Sequence, residues 1–242
     1  MISVCMTTYN GEKFIKDQIA SIISQLRDYD EIIVCDDGSL DKTVEIIESI
    51  SDNRIKLYRN KINLGHVKNF EKTISLAKGK YIFLSDQDDI WNPNKIEITL
   101  NIFEKDNNIS LVYHNFGLID EYGNATMDQF PQYNEGKKNK LFFFMRQLIK
   151  PQIYGCACAI NRSKINTLIP FPSCVYAHDH WIALWAIMNG DVYFIKNSLL
   201  NYRKHNSNLS PKKPLPLKKI VRNRLLLSYQ SIICLLRKLE IL

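Results

Sequence analysis

The sequence predicts an α/β fold, a mostly parallel sheet flanked by helices, and three observations lead there. Short apolar runs alternate with segments of helical periodicity between residues 2 and 103. Each helical segment separates two apolar runs, as a crossover between parallel strands requires, and such crossovers are right-handed. The second and fourth runs are both followed by acidic clusters, so both clusters fall on the edge where open α/β sheets bind ligands.

The elements follow in order. Residues 2–6 (ISVCM) read as a short buried strand. Ile15, Ile19, Ile22, Ile23 and Leu26 then keep helical spacing. Residues 31–35 (EIIVC) are the second strand. The next helix carries Val44, Ile47 and Ile50, with Ser39 or Asp41 as its cap. Residues 54–58 (RIKLY) are the third strand. Val67, Phe70, Ile74 and Ala77 mark a helix that Gly79 is expected to stop. Residues 81–84 (YIFL) are the fourth strand. Asn92 as cap and Pro93 at the first helical position open a helix with Ile96, Leu100 and Phe103.

Beyond residue 110 the pattern changes. Residues 109–116, 154–162, 191–195 and 199–205 read as strands, and 178–190 as an apolar helix ending at Gly190. The polar stretch 120–137 is expected to be a mobile loop. Residues 210–216 (SPKKPLP) have linker composition, and a basic helix begins at Leu217.

The 242 residues suit one large domain, or one domain with an appendage, at an ordinary 45% apolar content. Residues 1–10 lack the basic start and cleavage site of a secretory signal, and no apolar run reaches spanning length. The six cysteines are expected to be buried, reduced thiols of a cytosolic protein. The net charge of +7 lies wholly in residues 211–242, with eight basic residues against Glu240, while the body balances. That distribution argues against a nucleic-acid groove across the fold.

The stretch "YIFLSDQDDIW" (81–91) crowds Asp86, Asp88 and Asp89 together. Two carboxylates about 4 Å apart repel by roughly 4 kcal/mol at an effective dielectric of about 20. Asp36 and Asp37 in "CDDGSLD" arrive at the same edge, as do Thr7, Thr8 and Tyr9. A hard divalent cation would neutralise part of this charge; a solvated acidic turn before a helix is the alternative. Neither G-x-G-x-x-G nor G-x-x-x-x-G-K-[ST] is present, which argues against dinucleotide oxidoreductases and P-loop enzymes. His178 and His180 stand two apart and would not face one another on a helix, so zinc is not expected there.

The ordered set "VCMTTYNGE", "IIVCDDGSLDKT", "NLGHVKNF" and "IFLSDQDDIW" resembles the family 2 inverting glycosyltransferases, which have the GT-A fold. "YGCACAINR", "HDHW" and "YRKHNSNLS" resemble that family's acceptor half. "SDQDDIW" followed by "HDHW" is most similar to rhamnosyltransferase-type members that build bacterial surface polysaccharides. The resemblance implies a glycosyltransferase domain over residues 1–210, with 1–109 binding the nucleotide-sugar and 110–210 the acceptor, and a basic helical tail at 211–242. It implies transfer of a sugar, rhamnose by the nearest type, from a nucleoside diphospho-sugar to a saccharide or lipid-linked saccharide hydroxyl. Mn²⁺ or Mg²⁺ is the implied cofactor, on Asp86 and Asp88, with His205 as a further metal or phosphate contact. Thr7, Tyr9, Asp36, Asp37, Asn63 and Lys68 are the implied donor contacts, Lys68 standing where many relatives carry arginine. Asp179 is the implied general base, and Gly155, Cys156, His178 and Trp181 are assigned to the acceptor.

The tail's apolar stripe and basic residues suit peripheral contact with a membrane at the inner face of a bacterial plasma membrane. Packing on the body, or on a second copy as a homodimer, is the alternative. Two other readings stand beside the enzyme. One is a non-catalytic sugar-nucleotide-binding partner of a larger assembly, and the other a zinc hydrolase using His178, His180 and His205.

Overall fold

The apolar runs pair as one sheet in the computed structural model, which describes residues 1–127, 133–151, 153–208 and 215–241. The first half follows the expected alternation: β1 (Ile2–Thr8), α1 (Ile15–Ile23), β2 (Glu31–Asp36), α2 (Thr43–Glu48), β3 (Ile55–Arg59), α3 (His66–Leu76), β4 (Tyr81–Ser85). These four strands are parallel, in the spatial order β3-β2-β1-β4. Chain order therefore reverses at β1, and the crevice at that reversal opens beyond the carboxyl ends of β1 and β4. β2 and β4 are buried along their whole length, as strands covered by helices on both faces must be.

The second half contributes β5 (Ile90–Trp91), α4 (Lys95–Lys105), β6 (Ile109–Ile119), β7 (Gly136–Lys137), α5 (Lys140–Ile149), β8 (Cys158–Asn161), α6 (His178–Asn189), β9 (Asp191–Arg203) and α7 (Leu217–Lys238). β8 adds to β4 and β6 to β8, both antiparallel; β9 then runs parallel to β6, with β5 and β7 antiparallel against it. The core fills both faces of this sheet, from Ile15, Ile19 and Ile22 of α1 to Trp181 and Trp185 of α6.

Several boundaries differ from expectation. The two strands read at 191–195 and 199–205 are the single strand β9, because pairing with β6 absorbs the break through register shifts at Asn115. Within 154–162, residues 155–157 form a 3₁₀ turn and only Cys158–Asn161 is strand. Helix α4 begins at Lys95 after Asn94 in a left-handed conformation, φ 65°. Asn92 does not cap it; its side chain bonds the Ser198 carbonyl at 2.9 Å and tethers β9. Asp41 rather than Ser39 closes the start of α2, accepting from the Thr43 N–H at 3.0 Å. β5, β7 and α5 were not expected: two strands are two residues long, and the α5 stretch carries apolar residues on every side.

Of the polar stretch 120–137, residues 128–132 lie outside the described residues, as does most of the linker, 209–214. Residues 120–127 form a turn closed by Asp120 on the N–H groups of Tyr122 and Asn124. The tail is helical as expected and buries Leu227, Gln230, Ser231 and Cys234, packing on α6. All six cysteines are free, and all but Cys174 are buried. Among the described residues no helix is long and apolar enough to cross a membrane.

Gly79 does not stop α3, which ends at Leu76. It lies against β1: its N–H donates to Ser3 Oγ at 2.7 Å, and a Cβ there would overlap the backbone of Ile2 and Ser3. Gly79→Ala therefore forces β1 and β4 apart at their shared start. The expected cost is about 1–3 kcal/mol, read as a lower urea midpoint at unchanged slope; an unchanged midpoint would refute the contact.

Candidate active site

Three strand ends build the rim. In register, Thr8 of β1 stands opposite Asp36 of β2, and Met6 opposite Ser85 of β4. The β2 and β4 loops are thus two strand spacings apart, about 10 Å, on one edge. Thr7 is half-buried and the Tyr9 ring is 45% exposed beside the crevice. Gln87 locks the β1 and β4 loops together, accepting from the Tyr9 N–H at 2.9 Å and donating to its carbonyl at 3.1 Å.

The two acids after β2 are framework. Asp36 is fully buried and accepts from Thr8 Oγ1 at 3.1 Å, from the Gly38 and Ser39 N–H groups at 3.1 and 3.0 Å, and from the Ser39 hydroxyl. These bonds shape the D-D-G-S turn at the end of β2. Asp37 is also buried. It accepts from Asn60 Nδ2 at 2.8 Å and from the Leu64 and Gly65 N–H groups at 2.8 and 2.9 Å, holding the N-L-G turn. Asn63 is part of that turn, donating to the Asp37 carbonyl at 3.1 Å. Lys68 places its ammonium on Glu71 at 2.6 Å and on the Phe171 carbonyl at 3.2 Å.

The acids after β4 meet the end of β9. His205 Nε2 lies 2.8 Å from Asp88 Oδ2, and the His205 ring rests 4.7 Å from that of Phe14. Arg203, buried, donates its backbone N–H to Asp89 Oδ1 at 3.1 Å and its Nε to the Asp88 carbonyl at 2.9 Å. Beneath the loop, Lys95 is buried with its Nζ 2.9 Å from the Cys156 carbonyl and 3.9 Å from the centre of the Trp91 ring.

This cluster is short of positive charge. Burial, then the charges of Asp88 and Asp179, push the Asp86 carboxyl up to about 7. Burial, then Asp88 and Asp86, hold Asp89 well above the usual carboxylate range, and its Oδ2 is buried without a hydrogen bond. Burial lowers Lys95 to about 7. Carboxylates driven toward protonation around an unpartnered oxygen fit a hard divalent cation, which needs oxygen ligands and supplies the missing charge. Asp86, Asp89 and Cys156 each place a ligand atom within 4.8 Å of the others, and Asp88 with His205 adjoins them. Cys156 therefore lies under the acid loop, buried, rather than in an acceptor pocket.

Across the crevice stands the amino end of α6. Asp179 is in its first turn, its side chain 19% exposed, and its charge reaches Asp86. Its Oδ1 accepts the His180 N–H at 2.8 Å. Trp181 is fully buried and its indole donates to the Leu168 carbonyl at 3.0 Å, so the expected sugar platform is corrected to core packing. His178 is stacked on Phe70 at 3.9 Å between ring centres, with Gly155 against its Nε2. Gly155 makes room for that ring, since a Cβ would collide with it. His178 packs on Phe70 and His66, whereas His205 belongs to the Asp88 loop. Among the described residues the possible metal-binding group is Asp86, Asp89 and Cys156, not the histidines a zinc hydrolase would use.

Sequence reasoning missed Gln87, Asn60 and Lys95 as parts of this site. Lys95 sits one position before the apolar Ile96 of an amphipathic helix, where periodicity alone reads a solvated lysine.

A mostly parallel sheet flanked by helices, with acidic loops after β2 and β4 at one edge, is the arrangement of the GT-A fold. The chain belongs to glycosyl transferase family 2, whose description matches residues 3–169. It is 29% identical over 221 residues to "UDP-Glc:alpha-D-GlcNAc-diphosphoundecaprenol beta-1,3-glucosyltransferase WfgD" of Escherichia coli, covering 90% of this chain and 83% of that protein. It is 36% identical over 216 residues to the uncharacterized glycosyltransferase MJ1057 of Methanocaldococcus jannaschii, covering 85% and 71%. Among solved structures, S. aureus TarS 1-349 in complex with UDP-GlcNAc matches with a TM-score of 0.73 at 17% identity, over 96% of this chain and 70% of that one. TarS 1-349 without ligand in its description matches at 0.69, with 60% of that chain spanned. At such identities the structural likeness establishes the fold.

His178 generates a pH prediction. Burial lowers it to about 4, below its ordinary 6.5, so the unfolded chain binds the extra proton between those values. Stability from this group is present above about 6.5 and is lost as pH falls toward 4. Between pH 7 and pH 5 the loss is about 2 kcal/mol. Urea unfolding should show a loss about 2 kcal/mol smaller in His178→Leu than in the wild type, because His66 and His114, also lowered by burial, remain in both; equal losses in both would refute it.

Proposed function

We propose that this protein transfers a hexose from a nucleoside diphospho-sugar to a hydroxyl of a lipid-linked saccharide, with inversion at the sugar carbon. The observation that carries this reading is the approach of Asp179 to the Asp86–Asp88–His205 cluster: a partly exposed carboxylate opposite a charge-deficient rim. An inverting transfer needs these two features on opposite sides of one sugar. WfgD is named for a UDP-glucose donor and a diphosphoundecaprenol-linked acceptor, and TarS is described with UDP-GlcNAc. Both favour a uridine diphospho-hexose here over the rhamnose donor that the motif resemblance implies.

Asp86 and Asp88, with His205 adjoining, would hold Mn²⁺ or Mg²⁺, which when bound offsets the negative charge that grows on the departing diphosphate. The Tyr9 ring, exposed beside the first strand, is placed to stack on the nucleotide base. Thr7 borders the same pocket. Asp37 keeps the N-L-G turn out of the base's path. Arg203 fixes the Asp88 carbonyl and the Asp89 carboxylate, which holds the acidic loop in place for the donor. Asp179 receives the proton of the acceptor hydroxyl as it attacks. Asp179 sits in the first turn of α6, its side chain partly exposed. The place of action is the inner face of a bacterial plasma membrane, with peripheral contact through residues 211–242.

Replacing Asp179 by Asn removes the base and keeps the shape. Transfer should fall by roughly 10²–10⁴-fold while donor binding in a thermal-shift titration is unchanged. Wild-type turnover in Asp179→Asn would instead favour a non-catalytic nucleotide-binding partner or another base. A donor panel that includes uridine- and thymidine-linked sugars decides between hexose and rhamnose. Asp88→Asn should abolish the Mn²⁺-dependent part of the donor's thermal shift, and chelator should do the same to the wild type. A donor shift indifferent to both treatments would remove the metal from the mechanism.

A further inference from the structure

We infer that α5 and α7 together form a docking face for an anionic lipid bilayer, an inference that rests on the lipid-linked acceptor proposed above. Helix α5 is capped by Asn139, whose side chain accepts the Phe142 N–H at 3.0 Å, and it buries Phe143 and Gln147. Its opposite side should be polar. Instead Leu141 and Ile149 are 70% and 68% exposed, and Phe142 and Met145 stand out with them. Leu141, Met145 and Ile149 are spaced by four, so they form one outward stripe.

Helix α7 repeats the pattern. Leu227, Gln230 and Cys234 are buried, Gln230 donating to the Cys174 carbonyl at 2.9 Å. Leu217, Val221, Leu225, Ile232 and Leu239 are exposed along another side. The two helices touch each other and both pack on α6. Exposed apolar stripes on adjoining helices are a surface awaiting a cover.

Charge selects the cover. Lys218, Lys219, Arg222, Arg224 and Lys238 decorate α7, with no acid between its ends. Lys140, Arg146 and the following Lys150 do the same for α5, likewise without an acid. Lys140 is engaged by Asp191; Arg146 lies 5.7 Å over the Phe142 ring. A second copy of the chain related by a two-fold axis would set these cations against their own images. An anionic bilayer meets both features at once, taking the apolar stripe into the acyl boundary and the cations at the headgroups. α6 bears Asp179, so docking through its two neighbours would bring the bilayer to the helix that carries the proposed base.

The test is sedimentation of the full chain with vesicles of neutral phosphatidylcholine alone, and of phosphatidylcholine with 30% phosphatidylglycerol, roughly the anionic content of a membrane whose surface attracts polybasic segments. The wild type should pellet with the anionic vesicles and be released by salt. A triple Leu141→Ser, Met145→Ser, Ile149→Ser variant should lose at least tenfold in vesicle affinity while its donor thermal shift stays at the wild-type value. No binding to anionic vesicles, or wild-type binding by the variant, overturns the inference. So does a wild-type dimer in sedimentation velocity that the triple variant converts to monomer. Vesicle binding requires no turnover, so these outcomes are separate from failure of the proposed transfer reaction.

Discussion

The mutual repulsion of Asp86, Asp88 and Asp89 is the constraint on which the second half of the chain depends. Three carboxylates at the end of one buried strand are unstable by themselves, and the fold answers from three directions. β9 brings the Arg203 N–H and guanidinium to the loop and sets His205 against Asp88. α4 turns Lys95 inward beneath it. A deficit remains within the cluster, where burial and neighbouring carboxylates push Asp86 up and the buried Asp89 Oδ2 has no partner. A charge deficit of that kind suits a cation.

The acids after β2 have the opposite design. Asp36 and Asp37 spend their oxygens on backbone N–H groups and on Thr8, Ser39 and Asn60, so their charge is dispersed into the turns. Similar dipeptides at equivalent strand ends thus do different work. One fixes the loops around it, and the other leaves the buried Asp89 Oδ2 without a partner. The difference arises from neighbours: two Gly-containing turns donate around Asp36 and Asp37, whereas Asp88 and Asp89 receive only what β9 and α4 deliver.

The first half of the fold was legible in the sequence because its strands are continuous apolar runs divided by amphipathic helices. The acidic rim was legible for the same reason, since strand ends fix where loops emerge. What stayed hidden depended on contacts between distant segments. Lys95 looks like any surface lysine until the loop folds over it. Trp181 looks like a sugar platform until Leu168 takes its indole N–H. The long β9 was read as two strands because Lys196, Asn197 and Ser198 interrupt its apolar pattern; pairing with a bulged β6 carries it through. α5 was not read from the sequence, although Lys140, Arg146 and Gln147 give it a polar side.

His205 and Asp88 are separated by 117 positions in the chain. During synthesis the amino-terminal sheet can emerge from the ribosome and pack long before β9 exists, carrying its acidic loop without the arginine and imidazole that steady it. A nascent chain halted before residue 203 would carry the acidic loop after β4 without the contacts of Arg203 and His205 that hold Asp88 and Asp89.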